Sequence, residues 1–563
     1  MFEHATGRKH IADIAASLGI REHEMDLVGT YMAKIDHRIL ERLEDRPEGK
    51  YIDVTAVTPT PFGEGKTVTT IGLGMALNRL GYRAINALRE PSMGPVFGIK
   101  GGGTGGGKSV LFPMEQINLH FTGDIHAVET ATNLLAAAVD NHIFQGNELD
   151  IDPNTISWRR TMDVEDRSLR KVIVGLSEKK VATTYETGFD IAAASPMMAI
   201  LGLSTSFVDL RQRLAEIVVA QDRSGKAVTV ADLRVTGGLA AVLKDALYPN
   251  LVQTEEGTPA LVHIGPFANI AFGNNSVLAD RIALRLGDYV VTESGFGADM
   301  GFEKLMDIKL RQAGMKAPDC VVIVATVRAL KMHGGAFGIK PGKALDPAVV
   351  AAPNMAALEL GCENLRVHIE NVRSYGLPVV VAINRFPTDA AEEVQLVCGK
   401  AMDFGAAAAV PHSFFVDGGE GGLDLARTVQ EVASSSRVGA VTYPYELSDT
   451  IEDKMRKLAQ RIYRAADIQL SPTAQGRVRE FTAAGYGSWP ICMAKTHLSI
   501  SHDPEVKNAP TGYLFPIRDI RAATGARFLV PLGGTMQTMP GLSKVPALVR
   551  IDITDDGTIT GLT

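Results

Sequence analysis

The sequence predicts an α/β protein built on a mostly parallel sheet flanked by helices, and three features carry that prediction. The first is Tyr51 to Thr70, YIDVTAVTPTPFGEGKTVTT, where a β-rich run opens into a turn rich in Gly, Pro and Thr and then into a helical pattern. The second is a series of short apolar runs at Lys171 to Gly175, Ala260 to Ile264, Tyr289 to Thr292, Cys320 to Thr326, Pro378 to Asn384 and Ala408 to Phe415, separated by helical stretches. Strands that alternate with helices give parallel crossovers, which cover both faces of the sheet. The third is composition: 45% hydrophobic and 21% charged over 563 residues is the signature of a globular chain with roughly three or four units, or one large domain with additions.

Taken in order, residues 1 to about 48 read as helical, with Ile11, Ile14, Ala15, Leu18 and Ile20 on one face, forming a helical cap on the core domain. The turn Thr60, Pro61, Phe62, Gly63, Glu64, Gly65, Lys66, Thr67 then reads as a P-loop. Backbone N–H groups, a helix N-terminus and a Lys ammonium converge there on one anion, which suits nucleotide phosphates. Thr60 stands where the usual pattern has Gly, while Gly63 and Gly65 supply positive φ. The plainer alternative is a Gly/Pro turn before an ordinary helix. Val68 to Leu80 follows as a helix ended by Gly81, and Tyr82 to Leu88 as the next strand. The core, P-loop NTPase-like, is expected to span 1–150 and 256–440, with an inserted α/β lobe at 151–255 and a C-terminal lobe at 441–563.

A formal net charge of −7 argues against a general nucleic-acid binder. Cys320, Cys362, Cys398 and Cys492 are widely spaced with no C-x-x-C pair, which argues against a zinc site or disulfide framework and for a reducing cytoplasm. The opening segment lacks a signal-peptide pattern, and no run approaches the roughly 20 apolar residues of a membrane span.

Several constellations bear on chemistry. Arg89 ends the second strand, at the edge where α/β sheets bind ligands, and its planar fork suits carboxylate or phosphate; a structural ion pair is the alternative. Six of the seven residues from Gly101 to Gly107 are glycine, which implies a surface loop or backbone pressed close to a ligand. His120, His126 and His142, with Asp124 and Glu129, invite a metal reading, but the spacing of six between the first two and the break at Gly123 favour polar lining of a cleft. Glu293 and Asp299 follow a strand, where a P-loop protein places magnesium carboxylates; Asp299 equally suits a helix N-cap. Phe386 and Phe415 sit at the ends of two strands expected to be neighbours, as a clamp for a flat ring or as ordinary core.

Eight collinear blocks, TPTPFGEGKT, LREPSMGPVFGIKGGGTGGGKS, NLHFTGDIHA, NLLAAAVDNHI, ESGFGADMGFEKLMDIK, NRFPTDA, GGEGG and TMPGL, together resemble the monofunctional bacterial formate–tetrahydrofolate ligases, or 10-formyltetrahydrofolate synthetases. The resemblance implies ATP-dependent joining of formate to tetrahydrofolate through formyl phosphate, with release of ADP and phosphate. It implies that Lys66 neutralises the transferring phosphoryl group, that Thr67 lies near the Mg2+ accompanying ATP, and that Arg89 holds formyl phosphate. It associates Glu90 with a monovalent-cation activator, potassium or ammonium, and the pterin with a sandwich in which Phe386 matches the family's Phe and Phe415 stands where many members have Trp. A homotetramer is likewise implied. A dethiobiotin-synthetase-like ligase would share the loop but not NRFPTDA or GGEGG, and a partner-dependent P-loop ATPase switch would need no aromatic clamp.

Overall fold

A computed structural model describes residues 8–98, 102–176, 183–267, 270–338, 346–436, 439–534 and 537–562. The MFEHATG opening and the Ile99, Lys100 and Gly101 part of the glycine-rich stretch lie outside the described residues. Twelve strands form the main sheet: β1 (Met25–Val28), β2 (Met32–Ile35), β3 (Lys50–Ala56), β4 (Ala84–Leu88), β5 (Gly105–Gly106), β6 (Ser109–Phe112), β7 (Asn250–Thr254), β8 (Pro259–Val262), β9 (Tyr289–Glu293), β10 (Cys320–Ala325), β11 (Val379–Asn384) and β12 (Ala408–His412). Their order is β1-β2-β7-β8-β4-β9-β3-β10-β11-β12, with β6 pairing β7 and β5. From β8 to β12 all neighbours run parallel; from β8 back to β1, and at β6, they are antiparallel.

The parallel strands are Val- and Ile-rich because helices cover them on both sides. In β10, Val321, Ile323 and Ala325 face one buried cluster while Cys320, Val322 and Val324 face another, the period of two that a pleated strand imposes. On one side lie the Val277–Leu286 and Met355–Ser374 helices, and on the other Lys66–Arg79 and Leu423–Ser435. Among the described residues, no helix is long and apolar enough to cross a membrane.

Three expectations are corrected. The N-terminal region keeps a helix at Ile11–Leu18, but beyond it the chain turns at Gly29 (φ 70°) into the β1–β2 hairpin, which extends the sheet edge rather than continuing a helical cap. The run at Lys171 to Gly175 is not part of the main sheet; Val172–Val174 pairs antiparallel with Tyr185–Thr187 as a separate hairpin. The last strand stops at His412, and Phe414–Asp417 is a helical turn.

What positions the site is the carboxyl edge of the parallel strands. There β3 leads to the Thr60–Thr67 loop, β4 to Arg89, β10 to the Val327–His333 helix, β11 to Phe386 and β12 to Phe415, while β9 ends in Glu293. The chain leaves β3 for β4 on one side and later continues from β10 to β11 and β12 on the other. Loops diverging this way leave a crevice at the edge.

Candidate active site at the carboxyl edge of the sheet

Gly63 (φ 71°) and Gly65 (φ 79°) both take the left-handed conformation, and Gly65 is the N-cap of the Lys66–Arg79 helix. Thr60 acts in the loop through its hydroxyl. Its backbone N–H and its Oγ1 donate to Glu64 Oε1 at 2.7 and 2.8 Å, so a buried carboxylate ties the two ends of the turn together. Asn384, at the end of β11, donates Nδ2 to the Glu64 carbonyl at 3.1 Å and presses so close to Gly65 that a Cβ there would lie 2.3 Å from it. Arg328 donates Nη2 to the carbonyls of Phe62 and Gly63, at 3.2 and 3.1 Å. With its carbonyls engaged outward, the loop is free to turn N–H groups toward an anion.

Lys66 opens the helix half-buried, and Thr67 follows it. Burial pushes the Lys66 ammonium toward easier deprotonation; the Glu293 carboxylate opposes this most strongly, the Arg89 guanidinium adds to it, and Glu64 and Asp53 oppose it. Lys66, Arg89 and Glu293 therefore share one electrostatic neighbourhood although they come from three separate stretches of sequence.

Arg89 Nη2 lies 3.4 Å from Glu293 Oε1, a loose contact, while Glu293 Oε2 is buried with no hydrogen-bond partner among the described residues. The guanidinium fronts a small cleft lined by Gly273, Gly295, Phe296, Met300, Gly301 and Lys304. A Cβ on Gly295 would sit 2.9 Å from Arg89 Nη1, so a larger residue there would push the guanidinium from its present place. Next in the chain, Glu90 is buried with Oε2 unpartnered among the described residues. Burial pushes its carboxyl well up, the Asp124 and Asp163 carboxylates add to that, and Lys34 opposes it. Asp163 also fixes the following turn, accepting from the Ser92 hydroxyl and, at 3.0 Å, from the Met93 N–H.

Asp124 pairs with Lys34 Nζ at 2.6 Å and accepts from Asn250 Nδ2 at 2.7 Å. Glu129 accepts the Asp163 N–H at 3.0 Å, His142 accepts the Leu149 N–H at 3.1 Å, and His120 and His126 are exposed. Among the described residues, no group of three or more His, Cys, Asp and Glu is arranged to hold a metal by itself. Asp299 is not a helix N-cap: Gly297 occupies that position, and the Asp299 carboxylate meets Lys495 Nζ at 2.6 Å, with His368 at 4.0 Å.

The two aromatics have different settings. Phe386 is half-buried at the end of β11; its N–H donates to Asp389 Oδ2 at 2.8 Å, and the Arg328 guanidinium lies 3.8 Å over its ring. Phe415 is 53% exposed, while its neighbour Phe414 is fully buried against the Lys66–Arg79 helix. The Phe415 carbonyl accepts the Lys108 N–H at 2.9 Å, and a Cβ on Gly106 or Gly107 would touch the Phe415 ring or backbone. The described part of the glycine-rich stretch thus runs directly beneath Phe415.

Sequence reasoning missed Arg328, Asp163 and the loop-bracing role of Asn384. Arg328 stands three residues past β10, in the first turn of the Val327–His333 helix, so its place just after an apolar run was the available signal. Asp163 lies in a segment of no clear periodicity and offered none.

The chain was compared with known proteins. The family model described as formate–tetrahydrofolate ligase matches residues 2–563. The chain is 53% identical to the formate–tetrahydrofolate ligase of Desulforamulus reducens, over 98% of this chain and 97% of that protein. It is 54% identical to that of Roseiflexus sp. strain RS-1, with the same coverage, and 49% identical to that of Cutibacterium acnes. With the match running through the loop, the glycine-rich stretch and both aromatic strand ends, the chain belongs to the formate–tetrahydrofolate ligase family.

Proposed function

We propose that the chain joins formate to tetrahydrofolate with ATP, giving 10-formyltetrahydrofolate, ADP and phosphate, and that its core is a P-loop nucleotide-binding unit acting within a homotetramer in the cytoplasm. A formate oxygen attacks the γ-phosphorus of ATP, the bond to the bridging oxygen breaks, and ADP leaves. The N10 amine then attacks the formyl carbon and phosphate departs with the C–O bonding pair, while the amine loses its proton. Lys66, starting the helix after Gly65, suits the phosphoryl charge that develops in the first step. Arg89, loosely held by Glu293 at 3.4 Å, keeps donors for the phosphate of the intermediate.

Magnesium reaches such a site mainly on the nucleotide and needs only one or two protein oxygens. The unpartnered Glu293 Oε2 and the Thr67 hydroxyl fit that requirement, whereas the Asp299 carboxylate is already committed to Lys495. Bound there, the ion would neutralise phosphate charge. Glu90, buried with a free oxygen beside Asp124, fits a monovalent cation, which would relieve the crowding of carboxylates. Phe386 and Phe415 offer ring faces for the pterin.

The observation that carries the reading is the arrival of Lys66, Arg89, Phe386 and Phe415 at one edge of one sheet in a chain of this family. ADP release that requires both formate and tetrahydrofolate is the expected result; ADP release indifferent to the folate would overturn it.

A further inference from the structure

Arg328 carries a set of contacts that neither phosphate binding nor ring stacking requires by itself. Its Nη2 donates to two consecutive carbonyls of the phosphate loop, Phe62 O and Gly63 O. The face of the same guanidinium lies 3.8 Å from the centroid of the Phe386 ring and 5.4 Å from that of Phe62. Among the described residues its buried Nε has no hydrogen-bond partner and the side chain forms no ion pair. The guanidinium is half-buried, and burial disfavours its charged form, while the Glu64 and Asp389 carboxylates oppose this without pairing with it. Its helix is short and N-capped by Thr326, whose side chain accepts the Ala329 N–H, so the residue is fixed at the crevice.

Asn384 joins the end of β11 to the loop at Glu64 and Gly65, but it touches neither the Phe386 ring nor the Phe62 and Gly63 carbonyls, which Arg328 brings together. Phe386 is held at its backbone by Asp389, which accepts its N–H and donates its own N–H to the Phe386 carbonyl at 3.0 Å, but these bonds leave the ring free to turn. The Phe62 and Gly63 carbonyls belong to the most exposed part of the loop. Arg328 therefore touches at once the Phe386 ring and the two loop carbonyls.

We propose that Arg328 is a positioning residue that couples the nucleotide loop to the pterin-stacking ring, so that each substrate tightens the site of the other. This rests on the reading of Phe386 as a pterin face. A flat ring on the free face of Phe386 fixes the ring beneath the guanidinium. The fixed guanidinium then holds the two carbonyls outward, and the loop N–H groups are set for phosphate before ATP arrives. Because coupling is reciprocal, ATP prepares Phe386 for the folate to the same degree.

The test is the dissociation constant of ATP measured calorimetrically without formate, with and without saturating tetrahydrofolate, in the wild type and in Arg328→Ala, Arg328→Lys and Phe386→Ala. The wild type should bind ATP at least about fivefold tighter with the folate present, the lower range of ordinary couplings. Arg328→Ala should bring that ratio to within about twofold of unity, and Arg328→Lys should do the same, since an ammonium has no planar face to lie flat on the ring while it donates to the two carbonyls. Arg328→Lys also serves if the alanine variant fails to fold. An uncoupled wild type, or full coupling in either folded Arg328 variant, overturns the proposal. If Phe386→Ala leaves folate affinity unchanged, the pterin reading itself falls; if it weakens folate binding while both Arg328 variants stay coupled, only the role of Arg328 falls.

Discussion

Replacing Gly65 with Ala tests whether the loop works through its backbone. At φ 79° an L-residue costs about 1–2 kcal/mol relative to glycine. The new Cβ would also lie 2.3 Å from Asn384 Nδ2, so the amide must withdraw and its 3.1 Å bond to the Glu64 carbonyl is lost, at about 1 kcal/mol. Together about 2–3 kcal/mol disfavours the phosphate-ready loop, and apparent ATP affinity should fall roughly 30- to 150-fold as that conformer becomes a minority. Gly63→Ala is the internal control. Gly63 has the same hand, φ 71°, but its Cβ would meet nothing within 4 Å, so only the backbone term of about 1–2 kcal/mol applies and the loss should be about 5- to 30-fold. Calorimetric titration with ATP measures both, with circular dichroism to confirm folding. Equal losses in the two variants would refute the Asn384 contact as a determinant. ATP affinity within about threefold of wild type in Gly65→Ala would refute the loop as the phosphate site.

Other outcomes are expected from the same geometry. Lys66→Ala should lower turnover at least about a hundredfold with the melting temperature unchanged, because stabilisation of phosphoryl charge is lost; retention of a tenth of wild-type rate contradicts the assignment. Arg89→Lys keeps the charge but not the fork, so kcat should drop far more than ATP affinity, as single-turnover and binding measurements would show. Phe386→Ala and Phe415→Ala should raise the KM for tetrahydrofolate severalfold at little change in the KM for ATP, since a stacked face contributes about 0.5–1.5 kcal/mol beyond area; Phe415→Trp should be tolerated. Asp53, in β3, is pushed up to about 7 by burial, with Asp280 and Glu293 adding and Ser294 and Lys309 opposing. The folded protein thus binds a proton that the unfolded chain releases near 3.8, so this group lowers stability as pH rises from about 4 to about 7. Asp53→Asn should gain on the wild type more at pH 8 than at pH 5 in urea unfolding, and an equal difference at both would dismiss it.

How far the sequence reveals this molecule depends on whether the signal is local. The β3–loop–helix unit is legible because glycine, lysine and strand periodicity occur within about twenty residues, and β8 to β11 are legible because strands buried on both faces must be continuous apolar runs. The β1–β2 hairpin is not, because the helical face around Ile11–Leu18 reads on across Gly29, although MDLV and MAKI flank a turn there. Strand β7, Asn250–Thr254, falls within the stretch expected to form an inserted lobe, since Asn, Gln and Thr hide a strand in which Asn250 is satisfied by Asp124, 126 residues away. The site residues at strand ends could be placed by the edge rule. Arg328 over Phe386, and Asn384 on Gly65, are meetings between separate loops, which no spacing along the chain encodes.

Phe414 and Phe415, side by side, define what can be redesigned here. The Phe414 ring lies where a Cβ on Gly72 would come within 2.3 Å and one on Gly422 within 2.2 Å, so two backbones clasp it like the jaws of a vice. Enlarging either glycine would drive the Lys66–Arg79 helix and the GGEGG turn apart and displace the residue after the clasped ring. Phe415 touches the glycine-rich stretch from outside and keeps half its surface in solvent. Drift at this edge is thereby channelled: position 415 can exchange one ring for another, while 414, 72 and 422 must change together or stay fixed.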